Sequence, residues 1–488
     1  MENISKTGIV KKKRPVRAVQ FGEGNFLRAF VDYMIDILNE KTDFDGSIVL
    51  IKPISFGSLE RFREQDSIYT VYLRGLENGA EKIVKRVVTS VDSAVAAYED
   101  YEDFIALAKV DTLRFVISNT TEAGITLDLN DKYDMCPPDS YPAKLTKFLY
   151  ERFKAFDGDM SKGLVILPVE LIDDNGKELK RCVKALSDAW DLGEAFDKWL
   201  DGACVFTSTL VDRIVTGYPR DEDKKIFEEF GYEDHLIVTG EPFALWVIET
   251  DRDISDELPF EKAGLPVIFT NNVKPYKQRK VRILNGAHTS FVLASYLAGN
   301  DYVGQSMDDE DVFTFMNKTV FDEIIPTLDL SKEDCEAFAN AVIDRFRNPF
   351  IKHALLSISL NSVSKWRARC MPSFLKYAEK NGKLPERLTM SLAALIAFYS
   401  GREIKDGALI GHRNGEEYLI KDDAFVLEFF AENSSKSADE LTKLVLSNEK
   451  FWGTDLTKIP GAEKAVSAFL SDIRTNGVRN TMRCIEGK

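Results

Sequence analysis

The stretch Val16-Arg17-Ala18-Val19-Gln20-Phe21-Gly22-Glu23-Gly24-Asn25-Phe26-Leu27-Arg28 decides how the first half of the chain folds. Residues 16–21 are a short β-prone run, and Gly22-Glu23-Gly24 stops it. Phe26, Phe30, Tyr33, Ile37 and Leu38 then recur on one side of a helix. In a strand, glycine turn and helix of this kind, the glycines let a pyrophosphate approach the backbone and the helix N-terminus favours its charge. Phe21, Gly22, Gly24, Asn25, Phe26 and Arg28 are therefore candidate dinucleotide contacts. The usual third glycine is Leu27. The second apolar run, 48–51, leads into Lys52 where an acid would hold a ribose hydroxyl, which leaves NAD and NADP both open on chemistry.

Outward from this unit, β-like runs at 82–88, 113–117, 164–167 and 205–206 are separated by helical stretches such as 94–108 and 144–156. That alternation predicts an α/β domain with a parallel sheet covered on both faces. After 113–117 come Ser118, Asn119, Thr120, Thr121 and Glu122. Asn119, Thr120 and Glu122 stand where doubly wound sheets contact ligands, and a capped loop is the alternative reading. Beyond about residue 275 long helical periods dominate, at 280–297, 334–346, 385–399, 424–430 and 462–474. The expectation is a Rossmann-type domain over 1–273 and a mostly α-helical domain over 274–488, crossing at 271–280, with a cleft between them.

Composition narrows the function. The 488 residues are 44% hydrophobic, enough for a large core, and carry a formal net charge of −15, which disfavours nucleic acid and anionic membrane surfaces as partners. The six cysteines form no CxxC pair, and the four histidines show no HxxxH or HExxH spacing, so no metal site is expected. The N-terminus lacks the apolar stretch of a secretory signal, and 390–400 is too short to span a bilayer. The expected location is the cytoplasm. The sequence sets no oligomeric state, and a monomer is admissible.

The chemistry points to Lys280-Val281-Arg282-Ile283-Leu284-Asn285-Gly286-Ala287-His288. At about 100° per α-helical residue, His288 falls about 80° and Asn285 about 140° from Lys280, so one sector carries all three. A lysine withdrawn from water has its ammonium disfavoured and can accept a hydroxyl proton as hydride leaves. Asn285 can donate to the developing alkoxide and His288 can orient the oxygen. The same spacing also suits an amphipathic helix with Lys280 at its solvated edge and His288 satisfied in the core. Gly286 implies close approach by a ligand or another backbone.

KVRILNGAH at 280–288 resembles the signature of the polyol-specific long-chain dehydrogenases, the mannitol dehydrogenase family. QFGEGNFLRAF (20–30), QDSIYTV (65–71), TTEAG (120–124), TLVDRI (209–214), GEPFALWVIE (240–249) and RFRNP (345–349) are similar to the family in the same order. The resemblance implies a zinc-independent enzyme linked to NAD (NADH) that interconverts a keto-uronate and a sugar acid. It makes Lys280 the general acid/base, with Asn285 and His288 on the reacting oxygen. It also implies substrate contacts from Glu170, Asp212, Lys365 and Arg369. Another keto-uronate epimer, an uncharged polyol, or a non-catalytic NADH sensor are the alternatives. Relatives carry a second oxyanion-site asparagine where this chain has Leu171.

Overall fold

The computed structural model describes residues 1–121 and 123–487. The chain groups into two compact units, residues 1–74 with 81–273, and residues 75–80 with 274–488.

In the first unit, Val16–Phe21 (β1), Ser47–Lys52 (β2), Val91–Ala96 (β3), Phe115–Ser118 (β4), Val165–Pro168 (β5) and Val205–Phe206 (β6) form one sheet in the order β3-β2-β1-β4-β5-β6. Every neighbouring pair in it is parallel. Each residue of β2, β4 and β5 is buried, as expected when helices cover both faces of a parallel sheet. Alternate side chains feed two cores. Ala18, Leu50, Phe115 and Ile117 join one, while Val19, Phe21, Ile51 and Val116 join the other. The strand order reverses between β1 and β4, so the ligand crevice of such a sheet lies at the carboxyl ends of these two strands.

Two local expectations are corrected. Residues 94–96 are not helical, because Ala94, Val95 and Ala96 pair in register with Leu50, Ile51 and Lys52 and form the edge strand β3. The helix begins only at Tyr101 and runs to Ala106, since backbone pairing overrides the helix propensity of the alanines. Residues 82–88 lie outside the parallel sheet. They belong to Ala80–Val88, in a separate four-stranded sheet with Tyr69–Glu77, Val238–Gly240 and Val215–Gly217. The exposed and half-buried residues along this strand mark a sheet open to water on one side.

Three buried arginines tie the first unit together through main-chain carbonyls. Arg28 donates to the carbonyls of Glu23 and Leu236 and to Asn25 Oδ1. Arg213 donates to those of Phe243, Ala29 and Pro242. Arg152 donates to those of Lys162, Ala108, Val110 and Leu113. A guanidinium supplies five donors in a fixed fork, which suits it to gathering several loop ends at one point.

In the second unit Lys274–Arg279 continues through a π-helical turn, Lys280–Asn285, into the helix Gly286–Leu297. Lys332–Phe346, Ser362–Arg369, Glu386–Phe398 and Ala462–Asn476 supply further helices, and Pro385 caps the third of these instead of opening it. A small antiparallel sheet of Ile404–Lys405, Ala408–Arg413 and Glu416–Ile420 interrupts the helical run. Among the described residues no helix is long and apolar enough to cross a membrane.

Candidate active site

The glycine turn sits at the carboxyl end of β1, where the sheet order reverses. Gly22 has φ +118°, a conformation that side-chain-bearing residues rarely adopt. Its N–H donates to the Ile51 carbonyl at 2.9 Å, and a Cβ there would lie 3.2 Å from the Asn119 carbonyl oxygen. Leu27, in the place of the third glycine, is buried and packs under the turn, its Cδ1 3.3 Å from the same point. Gly24 caps the helix that runs from Asn25 to Lys41, and a Cβ on it would meet nothing within 4 Å. Gly24 and Asn25 are exposed. The helix-start amides thus face an open cradle that a side chain would fill, and these residues fit a pyrophosphate.

The remaining candidates of this turn divide by burial. Phe21 is fully buried against Phe104, Tyr141 and Phe148, and so supports the turn from below. Phe26 is half-buried and stacks on Phe30 at 5.0 Å. Arg28 points into the unit, lying over the rings of Phe62 and Tyr69. Lys52 is 1% exposed, and its ammonium donates to the carbonyls of Phe56 and Gly57 and pairs with Glu99 at 2.8 Å.

At the end of β4, Asn119 donates from Nδ2 to the Val169 carbonyl at 3.0 Å. The Thr120 N–H and hydroxyl and the Ser118 hydroxyl all donate to Glu170, at 3.0 to 3.1 Å. Glu170 is 2% exposed, and burial raises its pKa against the opposing pull of these donors. It joins the ends of β4 and β5. Asn175, which sequence reasoning passed over, clasps the same corner. Its Nδ2 donates to the carbonyls of Pro168 and Glu170, and its Oδ1 accepts from the Thr209 N–H. Leu171 is 64% exposed beside the buried Glu170. Asp212 is buried at the end of the strand Ser208–Asp212, in a different sheet of the unit. Glu122 lies outside the described residues.

The second unit assembles the polar set around the π turn. An α-helical wheel sets Asn285 about 140° from Lys280, and the i→i+5 winding of this turn narrows that angle. Lys280 and Asn285 are half-buried. Gly286 follows because the Arg369 carbonyl approaches to 3.3 Å of where its Cβ would be. His288 stacks on Phe346 with ring centroids 4.1 Å apart and meets His353 edge-on at 5.5 Å. Part of the residue is exposed, yet its Nε2 is buried and no described residue hydrogen-bonds to it. Burial holds the His288 pKa well below its usual value, and His353, Arg345, Arg369 and Lys365 reinforce the effect.

Of the basic stretch 365–369, Lys365 and Arg369 therefore belong to the surroundings of His288. Arg367 instead packs at Gly453, where a Cβ would come within 2.4 Å of its Nη2. Lys365 donates to the Ile358 carbonyl at 2.8 Å, and Arg369 reaches Thr289 Oγ1 at 3.5 Å. Burial lowers the pKa of both. Arg345 and His353 were not singled out from the sequence, although Arg345 opens the RFRNP segment. The result is a neutral imidazole with an unsatisfied nitrogen inside a ring of cations, suited to a polar substrate that also bears a negative charge. Among the described residues no group of three or more His, Cys, Asp or Glu side chains is arranged to hold a metal ion.

A doubly wound sheet in the 3-2-1-4-5-6 order with a glycine cradle at its switch point defines the class of dinucleotide-binding folds. The chain belongs to the mannitol dehydrogenase family: residues 16–262 match the mannitol dehydrogenase Rossmann domain and residues 272–474 the mannitol dehydrogenase C-terminal domain. It is 46% identical to altronate oxidoreductase from Shigella flexneri over 99% of each chain, and equally so to that of Escherichia coli K12. Solved structures share the fold. D-sorbitol dehydrogenase superimposes with a TM-score of 0.79 at 21% identity, covering 96% of this chain and 95% of the other. Pseudomonas fluorescens mannitol 2-dehydrogenase, solved with NAD and D-mannitol, gives 0.65 at 22%, covering 100% and 97%.

Proposed function

We propose that this chain is a cytoplasmic NAD-dependent oxidoreductase that interconverts D-tagaturonate and D-altronate, using Lys280 as general acid/base and no metal ion. The observation that carries the reading is the neutral, unsatisfied His288 ringed by Lys365, Arg369, Arg345 and His353, in a chain 46% identical over its length to altronate oxidoreductases. NAD, when bound, supplies the hydride acceptor for the alcohol and, as NADH, the donor for the ketone. The helix-start amides after Gly24, with Asn25, would hold its pyrophosphate, and Asn119 and Thr120 would line its nicotinamide side.

In the oxidative direction the Lys280 amine takes the hydroxyl proton, and in reduction its ammonium returns it. The Asn285 amide donates to the oxygen as negative charge builds there, the charge that the transition state carries and the ground state lacks. His288, kept neutral, offers Nε2–H to the same oxygen or its neighbour without adding a cation. Lys365 and Arg369 hold the carboxylate, whose charge distinguishes a sugar acid from a polyol. Glu170 and Asp212 take supporting roles, Glu170 by fixing Thr120.

NADH oxidation against tagaturonate, fructuronate and fructose tests the reading. Turnover of tagaturonate that persists after exhaustive chelation is the expected result, and activity on fructose alone overturns the acid-sugar assignment.

A further inference from the structure

Beside the glycine turn, whose Gly22 N–H donates to the Ile51 carbonyl, the next residue of β2 is Lys52, the cation that leaves NAD and NADP open in the sequence. Lys52 is 1% exposed. An ammonium has three donors. Those of Lys52 go to the Phe56 carbonyl at 3.3 Å, the Gly57 carbonyl at 3.1 Å and Glu99 Oε1 at 2.8 Å, so none is left for a phosphate. Glu99 belongs to the turn after β3. The parallel ladder brings it here: Lys52 pairs with Ala96, and the Ala97 N–H donates to the Lys52 carbonyl at 3.0 Å. A second cation, Arg63, pairs with Asp100 of the same turn at 3.1 Å.

We propose that Glu99 takes the place of the acid that ordinarily ends the second strand: its carboxylate accepts the adenosine ribose hydroxyls of NAD and repels the 2′-phosphate of NADP, with Lys52 as its buried counter-ion. The inference rests on assigning the glycine turn to NAD, as above, and names the residue that sets the choice of cofactor. Doubly wound folds hold that ribose with a carboxylate at the end of the second strand. Here the strand end supplies a lysine, and the carboxylate arrives at the same corner from the neighbouring strand. The pair is neutral in sum but not in direction. The lysine side chain is 2% exposed and the glutamate side chain 49%, so a ligand entering from solvent meets the negative half. A carboxylate offers about four lone-pair sites, and the Lys52 ammonium takes one. Phe56, whose carbonyl the same ammonium holds, is 72% exposed and gives this corner an apolar face of the kind a nucleoside takes.

Fluorescence titration of the full chain with NADH and with NADPH tests this without turnover. The wild type should bind NADH at least about 100-fold more tightly, since like charges brought together are strongly disfavoured. Repulsion at a half-exposed carboxylate is screened by salt, so raising ionic strength from about 0.05 M to about 0.5 M should narrow that ratio. The pyrophosphate is common to both cofactors and cancels from it. Glu99→Gln keeps the size and removes the charge. It should bring the two affinities within about tenfold of each other, through weaker NADH binding and tighter NADPH binding. A merely structural loss would weaken both alike. Glu99→Asp keeps the charge and should discriminate more strongly than Glu99→Gln.

A wild type that binds NADPH as tightly as NADH, a ratio that salt widens or leaves alone, or a Glu99→Gln variant that shifts both affinities by the same factor overturns the proposal. If the variants do not fold, the wild-type ratio and its salt dependence still decide it. Failure of the wild type to bind either cofactor at any ionic strength would overturn the assignment of the turn to NAD and this inference with it. Tight NADH binding with a ratio that Glu99→Gln leaves unchanged would remove the role of Glu99 alone.

Discussion

Replacing Arg369 by glutamine separates carboxylate recognition from the chemistry of hydride transfer. The guanidinium is committed to the protein only weakly, through a 3.5 Å contact with Thr289 Oγ1, so its substitution should cost the fold little. A charge-assisted hydrogen bond contributes about 1.5–3 kcal/mol net. At 1.36 kcal/mol per decade, kcat/KM for the sugar acid should fall about 10- to 150-fold. The carboxylate is bound alike in ground and transition states, so the loss should appear in KM, with kcat within about threefold. Removing this cation also relieves His288, whose depressed pKa should rise. Steady-state kinetics on the acid, a parallel series on an uncharged polyol, and NMR titration of the His288 ring give three readouts. A loss of equal size on acid and polyol, or a fall in kcat at constant KM, refutes the assignment.

Lys280→Met should lower turnover about 10²- to 10⁴-fold while NADH binding, followed by fluorescence, is retained; an unchanged pH profile of alcohol oxidation would remove lysine from the base role. Gly24→Ala should leave the thermal midpoint in place and weaken NADH binding, because its Cβ enters open space where the phosphates are to sit. Gly22→Ala should cost about 1–3 kcal/mol of stability in urea unfolding, since alanine must adopt φ +118° against the Asn119 carbonyl. His288 binds no proton in the folded chain at pH values where the unfolded chain does. Its contribution is therefore complete above the unfolded pKa of 6.5 and is lost on acidification, by about 1.4 kcal/mol per pH unit until the folded pKa is reached. Urea titrations at pH 7.5 and 5.5 should show a smaller acid loss in His288→Gln.

The first strand and its turn were legible because everything that shapes them is local. The apolar run ends at Gly22, and the positive φ and the helix after it follow within a few residues. The strand Val91–Ala96 was misread because its alanines and valines are decided by pairing with β2, a partner some forty residues away. Lys280, Asn285 and His288 are singled out by spacing, but no helical wheel reveals that the turn between the first two is wound as π. The ring around His288 was half visible. Lys365 and Arg369 share one helix and declare themselves as a basic stretch, whereas Arg345 and His353 come from other segments and converge only in the folded unit. Asp32 reads as an ordinary polar position on a helix, and nothing in its neighbours along the chain announces that it is wholly enclosed.

The buried arginines bear on how such a chain is recognised. Arg28 and Arg213 lie inside NFLRAF and TLVDRI, two of the segments that mark the kinship, and both spend their donors on carbonyls that tie loop ends together. Those two letters of the signature spell out architecture. A protein could keep both of them, fold into the same scaffold and have no power over any alcohol. Lysine, a point charge without the planar fork, would unfasten the corners that these two side chains clamp.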